Sequence, residues 1–278
     1  MNAIQEKILD IYKLVGDLCD KHDIPFYAIG GTCIGAVRHK GFIPWDDDLD
    51  IAIPIQDFDR FWDVAEKELP EYLNIYTCKN KRKYRYIFGK IHNINTTFIE
   101  ESEIGYPDAY KGIFVDIMPI ASIPDNPTDK KAFHKKILLY SKMNYIRRYP
   151  YKGMDTIKKK IIWIMMRPLC LFTKFDFFSE KWLALLRKYP LGSSSLTGYT
   201  WWDTNFEKLT FPMEDFAESL ELPFEDTIIN CPIKYDDYLT RQFGDYMKLP
   251  PVDQREPHMV NVIDSNLSYE VYREKENI

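Results

Sequence analysis

This chain is short of the features that would staple it, export it or carry it across a membrane. Its five cysteines, Cys19, Cys33, Cys78, Cys170 and Cys231, are odd in number and set far apart, with no CxxC pair. That excludes a disulfide framework and a cysteine-built zinc site, and it predicts reduced, mostly buried thiols in a cytosolic protein. The amino terminus, MNAIQEKILDIYKLV, has no basic segment followed by a signal core, so secretion is not expected. The most apolar long stretch, Ile157 to Phe178, is interrupted by Arg167, Pro168 and Lys174 and falls short of the run of about 18 uncharged residues that a span requires. A buried helix pair kinked at Pro168 is the first expectation there. An element lying on a membrane, with Lys158, Lys159 and Lys160 facing anionic headgroups, is the alternative. Excess positive charge is missing too: the net charge is −5, which argues against duplex DNA as the main partner, and no nucleic acid is expected. No internal repeat or low-complexity array occurs.

What is present suits a folded globular protein. The 278 residues are 45% apolar and 28% charged, enough for a sizeable core in one large domain or two modest ones. The charge is unevenly placed. Lys79, Lys81, Arg82, Lys83, Arg85 and Lys90 form one basic patch, and from Asp129 to Lys160 eleven Lys or Arg stand against two acids. From Asp203 to Asp226, eight acids stand against Lys208 alone. Such polarity can steer an anionic substrate or hold one flank to an anionic surface.

Periodicity gives the outline. Apolar residues at helical spacing predict helices over 3–21, 56–69, 129–148, 179–189 and 235–243, and extended pieces over 26–29, 49–53, 72–76, 84–94, 96–99 and 113–117. Residues 191–200 read as a Gly- and Ser-rich connection running into Trp201 and Trp202. Those rings could stack on a base or sugar, with core packing or a lid as the plainer role. The tail after Arg255 and His258 shows little apolar periodicity, and its last residues are expected to fray.

The stretch from Phe26 to Pro54, FYAIGGTCIGAVRHKGFIPWDDDLDIAIP, carries the chemistry. A short apolar strand leads to Gly30-Gly31, which lets a ligand approach the backbone where a Cβ would obstruct it. Thr32 is placed to cap a short helix through Arg38, leaving its first amides for an anion. The chain is extended again at Leu49 to Ile53, where a period of two sets Asp48 and Asp50 on one face and Leu49 and Ile51 on the other. Two carboxylates side by side call for a proton or a cation. Magnesium, or manganese in its place, commonly takes one or two carboxylates together with phosphate oxygens and water. A solvated acidic turn is the bland reading of the same run.

Asp116 stands alone in the apolar strand GIFVDIMPI. A buried acid there must be paired, hydrogen-bonded or metal-bound. It either completes a three-carboxylate magnesium site with Asp48 and Asp50 or pairs with a base such as Lys90 or Arg38. Lys90 itself falls inside an apolar and aromatic run, so it points either to a phosphate pocket or to a side chain that snorkels to the surface.

GTCIGAVRHKGFIPWDDDLDIAI at 31–53 closely resembles the signature of the LicD family, and FVDIMPI at 114–120 and YDDYLTRQFGDYMKLPP at 235–251 resemble its other landmarks, in the same order. Cys33 and Ile34 depart from the common GTLLGAVRH wording and keep its apolar character. The resemblance implies an α/β (α+β) nucleotidyltransferase-like mixed sheet with a helical flank. Residues 1–125 would form the core, 126–200 the flank, and 201–278 a segment completing the cleft of a single catalytic unit.

The resemblance also implies transfer of phosphorylcholine, or another alcohol phosphate, from a cytidine diphosphate donor such as CDP-choline to a glycan or lipid-linked glycan. Family members of this kind modify teichoic acid, lipopolysaccharide or capsule. Gly30 and Gly31 would lie beneath the donor phosphates with Thr32. Asp48, Asp50 and Asp116 would hold magnesium, and Arg38 and Lys90 would contact phosphate. Asp237, Tyr238, Gly244, Asp245 and Tyr246 belong to the carboxy-terminal signature, either touching ligand or fixing the fold. A nucleotidyltransferase using a nucleoside triphosphate, and a noncatalytic glycan- or membrane-binding protein, are the alternatives. The expected place is the cytoplasm, with peripheral contact at the inner face of the membrane; the oligomeric state is open.

Overall fold

The computed structural model describes residues 1–78, 84, 86–100, 111–148, 151, 156–199, 206–207, 209–255 and 260–276. Trp201, Trp202 and most of the 79–85 basic patch lie outside them.

Helix α1 (Ala3–Lys21) begins at a reciprocal cap: the Asn2 side chain accepts from the backbone amides of Ile4 and Gln5, and the Gln5 side chain accepts from the Asn2 amide. Its buried stripe runs through Ile8, Leu9, Ile11, Tyr12, Val15 and Leu18, the spacing that predicts the helix. Strand β1 (Tyr27–Ala28) leads into α2 (Gly30–Ile34), which continues as a wider π-helical turn over Gly35–His39. Strand β2 (Asp50–Pro54) then feeds α3 (Ile55–Glu68), and β3 (Leu73–Tyr76), β4 (Gly89–Asn93), β5 (Thr97–Glu100) and β6 (Phe114–Ile123) follow. The chain continues as α4 (Pro127–Arg148), α5 (Ile157–Leu171), α6 (Phe177–Leu186), β7 (Leu196–Gly198), β8 (Phe211–Pro212) and a 3-10 turn. It closes with the hairpin β9 (Ser219–Phe224) and β10 (Thr227–Pro232), then α7 (Tyr235–Phe243), β11 (Val260–Asp264) and α8 (Tyr269–Glu276).

The central sheet has the order β1-β2-β6-β4-β3, with β7 and β8 continuing from β6. It is mixed: β2 and β6 run parallel, while β1–β2, β4–β6 and β3–β4 are antiparallel. Helices α1 and α3 pack against each other and both touch β6, and Ile51, Ile53, Ile91, Val115 and Ile117 are fully enclosed. The expected mixed α/β architecture is therefore the one observed.

Several local expectations change. Strand β6 runs through Pro119 rather than stopping before it. On one side β6 pairs with β4 at 114–117 and with β7 at 121–123, so the proline falls between partners, where a missing amide donor costs little. The connection at 191–200 contains β7, which extends the sheet. Despite its weak periodicity the tail is structured over 260–276: β11 pairs antiparallel with β5, and α8 follows. The 157–178 stretch is α5, with Pro168 inside it and Cys170 its one buried residue, then a turn into the start of α6 at Phe177, rather than a buried pair kinked at Pro168. Among the described residues no helix is long and apolar enough to cross a membrane.

Gly35 fixes how the helix after the Gly-Gly turn meets the loop that returns to β2. A Cβ at Gly35 would lie 2.5 Å from the Gly41 carbonyl oxygen, and a backbone atom cannot swing aside as a flexible side chain can. Gly35→Ala is expected to lower unfolding stability by about 1–3 kcal/mol, read as an earlier midpoint in urea with an unchanged slope.

Candidate active site

Three charged side chains occupy one row across the middle of the sheet. Lys90 of β4 is the register partner of Asp116 of β6, and Asp116 is the register partner of Asp50 of β2. Residues in register project from the same face, so a cation and two acids are brought together by strand pairing alone. The backbone tightens the row: the Asp116 amide donates to Leu49 O at 2.9 Å. Asp48, two residues before Asp50, shares its half-exposed phase, whereas Leu49 and Ile51 between and beyond them are fully buried.

Lys90 Nζ lies 3.2 Å from Asp116 Oδ1 and 4.0 Å from Glu100 Oε1. It also sits over the Phe114 ring, 3.2 Å from the centroid. The pairing of Asp116 with Lys90 and its adjacency to Asp50 thus coexist. Lys90 is 5% exposed, so its ammonium is held inside by this pairing rather than snorkelling to the surface.

One ammonium does not offset the acids around it. Burial, then the charges of Asp48 and Asp116, push Asp50 well above the ordinary carboxylate range despite Lys90. Burial likewise raises Asp116 to about 7, with Lys90 opposing the rise and Asp48 adding to it. Asp50 Oδ1 is enclosed and accepts no hydrogen bond. Two strands therefore hold carboxyls that ionise reluctantly by themselves and readily beside added positive charge. Among the described residues no three His, Cys, Asp or Glu side chains are gathered as a metal cage. What the chain assembles is the Asp50–Asp116 pair with Asp48 alongside, a donor set that suits an ion completing its shell with phosphate oxygens and water.

Behind the row, burial and the charge of Lys90 lower His92 to about 3, while its Nδ1 contacts Gly112 O at 2.9 Å. A carbonyl can only accept, so the neutral ring donates from Nδ1. His92 thereby fills the space beside Phe114 without adding charge.

The glycine turn is held by residues distant in sequence. Helix α2 begins at Gly30, whose φ of +57° lies in the left-handed region that glycine enters at little cost. The Gly30 amide donates to the Tyr238 hydroxyl at 2.8 Å, and Tyr238 and Tyr199 are linked through their hydroxyls at 2.5 Å, with Tyr199 donating onward to Gln242 Oε1. Gly31 has Asp46 Oδ2 where a Cβ would come within 2.9 Å. Thr32 is not the cap: the position before the helix is Ile29, and the Thr32 hydroxyl accepts from the Asp50 amide at 2.8 Å. Thr32 thus ties the helix to the acidic strand. Gln5 ties α1 to the loop before that strand, donating to Ile43 O and Asp46 O, and nothing in the sequence singled it out.

Arg38 donates from Nη1 to Tyr246 O and from Nε to His39 Nε2. Burial, then the neighbouring Arg255 charge, push its guanidinium below the usual range, and Arg255 lies over the Trp45 ring, 5.1 Å from the centroid. Two like charges beside the Asp46–Asp50 turn suit an anionic ligand. Arg255 gave no signal in sequence because it follows an irregular Pro-rich turn. Tyr238 and Tyr246 of the carboxy-terminal signature brace the Gly30 and Arg38 segments, while Asp237, Gly244 and Asp245 are exposed. Tyr238→Phe removes the acceptor for the partly buried Gly30 amide. It is expected to cost about 1–3 kcal/mol, and in a double-mutant cycle its effect should not add to that of Tyr199→Phe.

The LicD/FKTN/FKRP nucleotidyltransferase domain matches residues 23–155, which include all three acids and Lys90. The lipopolysaccharide cholinephosphotransferase LicD of Haemophilus influenzae is 31% identical over 261 residues, covering 91% of this chain and 93% of that protein. An uncharacterized protein of Rickettsia typhi is 38% identical over 84 residues, 29% of this chain and 26% of its own length. With motif order, sheet register and near full-length similarity in agreement, this chain belongs to the LicD family of nucleotidyltransferase-fold phosphotransferases.

Proposed function

We propose that the protein transfers phosphorylcholine, or another alcohol phosphate, from a CDP-linked donor to a hydroxyl of a cell-surface glycan precursor, with magnesium as its cofactor. The observation that carries this reading is the in-register row of Lys90, Asp116 and Asp50, one cation against two reluctant acids. Asp50 and Asp116, with Asp48 alongside, would hold the ion, which when bound would offset charge on the donor phosphates.

The chain's own groups divide the remaining work. The Gly30-Gly31 turn gives the donor close access to backbone. Arg38, with Arg255 beside it, supplies positive charge at the flank of the acidic turn. The acceptor hydroxyl attacks the phosphorus nearest the transferred alcohol; a new oxygen–phosphorus bond forms as the bond to the cytidine monophosphate oxygen breaks, and the hydroxyl proton passes to a carboxylate. Asp116 either completes the shell of the ion or takes that proton; its carboxyl, raised to about 7 without the ion, is poised near neutral pH for the second role. Phosphoryl transfer relies mainly on positioning and electrostatics, and a row fixed by strand register supplies both. The name of the Haemophilus relative, a cholinephosphotransferase, supports the choice of phosphorylcholine.

Purified protein given magnesium, a panel of CDP-alcohols and a glycan acceptor is expected to release cytidine monophosphate. Asp50→Asn should lower turnover by about 10²–10⁴-fold and leave the protein as stable as the parent or more so, because it removes a charge the fold disfavours. Pyrophosphate release from a nucleoside triphosphate, or full turnover by Asp50→Asn, would overturn the proposal.

The ionisation of the acids gives a second test. A carboxyl raised to about 7 retains its proton below that pH, so a cation must displace the proton there and meets a ready carboxylate above it. Calorimetric titration with magnesium should show affinity rising, and proton release falling, as pH increases through about 7. An affinity flat across that range would count against metal binding at Asp116.

A further inference from the structure

Helix α5 is apolar on two opposite faces, and the fold covers one of them. Cys170 is buried, and Trp163 and Met166 are partly buried, in a small cluster with Met143 and Ile146 of α4 and Phe178 of α6. The opposite stripe, at spacings of three and four, comprises Ile157, Ile161, Ile164, Met165, Leu169 and, just past the helix, Phe172; all are exposed, Met165 at 70%, Ile157 at 77% and Phe172 at 88%. A solvated stripe of this length is costly to leave bare and marks a surface that meets something apolar.

The charges beside it identify the occupant. Lys158, Lys159 and Lys160 stand at the start of the helix and Lys174 just beyond its end, and no acid occurs between Ile157 and Phe175. Arg167, the remaining cation, is turned inward to the carbonyls of Ile146 and Arg147 near the end of α4, which fastens α5 to the body. An apolar stripe edged by lysines and free of acids matches a bilayer surface, where apolar side chains enter the headgroup boundary and lysines meet anionic lipids. A second copy fits less well: two such helices paired antiparallel by a two-fold would set Lys158–Lys160 of one against Lys174 of the other with no acid in the segment to offset them.

We propose that α5 is an interfacial element that docks the protein on an anionic lipid surface, lying along it rather than crossing it. This rests on the exposed stripe and its charges and is independent of the reaction proposed above.

The full-length protein is to be sedimented with vesicles of phosphatidylcholine mixed with phosphatidylglycerol, and with vesicles of phosphatidylcholine alone. Binding to the anionic vesicles is expected, weakening as salt is raised, with little binding to the neutral ones. Ile164→Glu with Met165→Glu should abolish binding, and Lys158→Glu, Lys159→Glu and Lys160→Glu together should weaken it by at least about a hundredfold. All five positions lie outside the proposed catalytic machinery, so circular dichroism and turnover on a water-soluble acceptor should be unchanged in both variants. Failure to bind anionic vesicles, or equal binding to neutral ones, overturns the proposal. So does a parent dimer in sedimentation velocity that Ile164→Glu with Met165→Glu makes monomeric while vesicles capture neither form, since the stripe would then join copies of the chain.

Discussion

The pairing of β2 with β6 is the constraint on which the rest of the structure depends, because it places Asp50 beside Asp116 in a buried row. Two carboxylates at neighbouring positions repel each other, and burial removes the water that would screen them. Lys90, contributed by β4 on the other side of β6, offsets part of that repulsion. Hydrophobic packing of the opposite side chains, Ile51, Val115, Ile117 and Ile91, keeps the strands together regardless of the charges. Function and stability are therefore drawn from alternate residues of the same strands, and the core offsets the electrostatic cost of the site.

A row of charge needs a frame that cannot relax away from it. That frame is made of hydrogen bonds from remote parts of the chain: Gln5 from α1 to the loop before Asp47, Thr32 to the Asp50 amide, Tyr238 to Gly30 and Glu225 to Phe42. The close approach of Gly41 to the Glu225 side chain belongs to the same clasp, since a Cβ there would fall within 2.2 Å of Oε1. The β9–β10 turn thus acts on the Gly41–Phe42 segment from 183 residues away, and α7 on the Gly-Gly turn from 208 residues away. The carboxy-terminal signature has a structural explanation in these contacts, through Tyr238 and Tyr246.

What could be read from sequence followed from how strongly local physics constrained each residue. Leu49 and Ile51 alternating with Asp48 and Asp50 signal a strand with one acidic face, and an acid alone among Phe114, Val115, Ile117 and Met118 signals a partner nearby. The partnership itself was legible only as alternatives, Lys90 or the other acids, because register is a tertiary property. Thr32 looked like a cap from its residue type, yet Gly30 starts the helix in a left-handed conformation that no pattern announces. Arg255 and Gln5 act through long-range contacts, Arg255 on Trp45 and Gln5 on the Ile43 and Asp46 carbonyls, and leave no periodic trace. Strand β11 was invisible because a short strand paired only with β5 need not carry the alternation that burial imposes.

Helix α5 shows a different limit. Periodicity reports how apolar residues are distributed around a helix, and here they surround it, so burial on all sides is the natural inference. The decisive fact is how many neighbours the fold supplies: α4 and α6 cover the Trp163, Met166 and Cys170 side, and nothing among the described residues covers the rest. Inward-facing Arg167 reinforces that orientation, since rolling the helix to bury Ile164 and Met165 would break its bonds to the α4 carbonyls. The exposed stripe is thus a consequence of how α5 is anchored, and Lys158 and Lys160 flank it at the start of the helix.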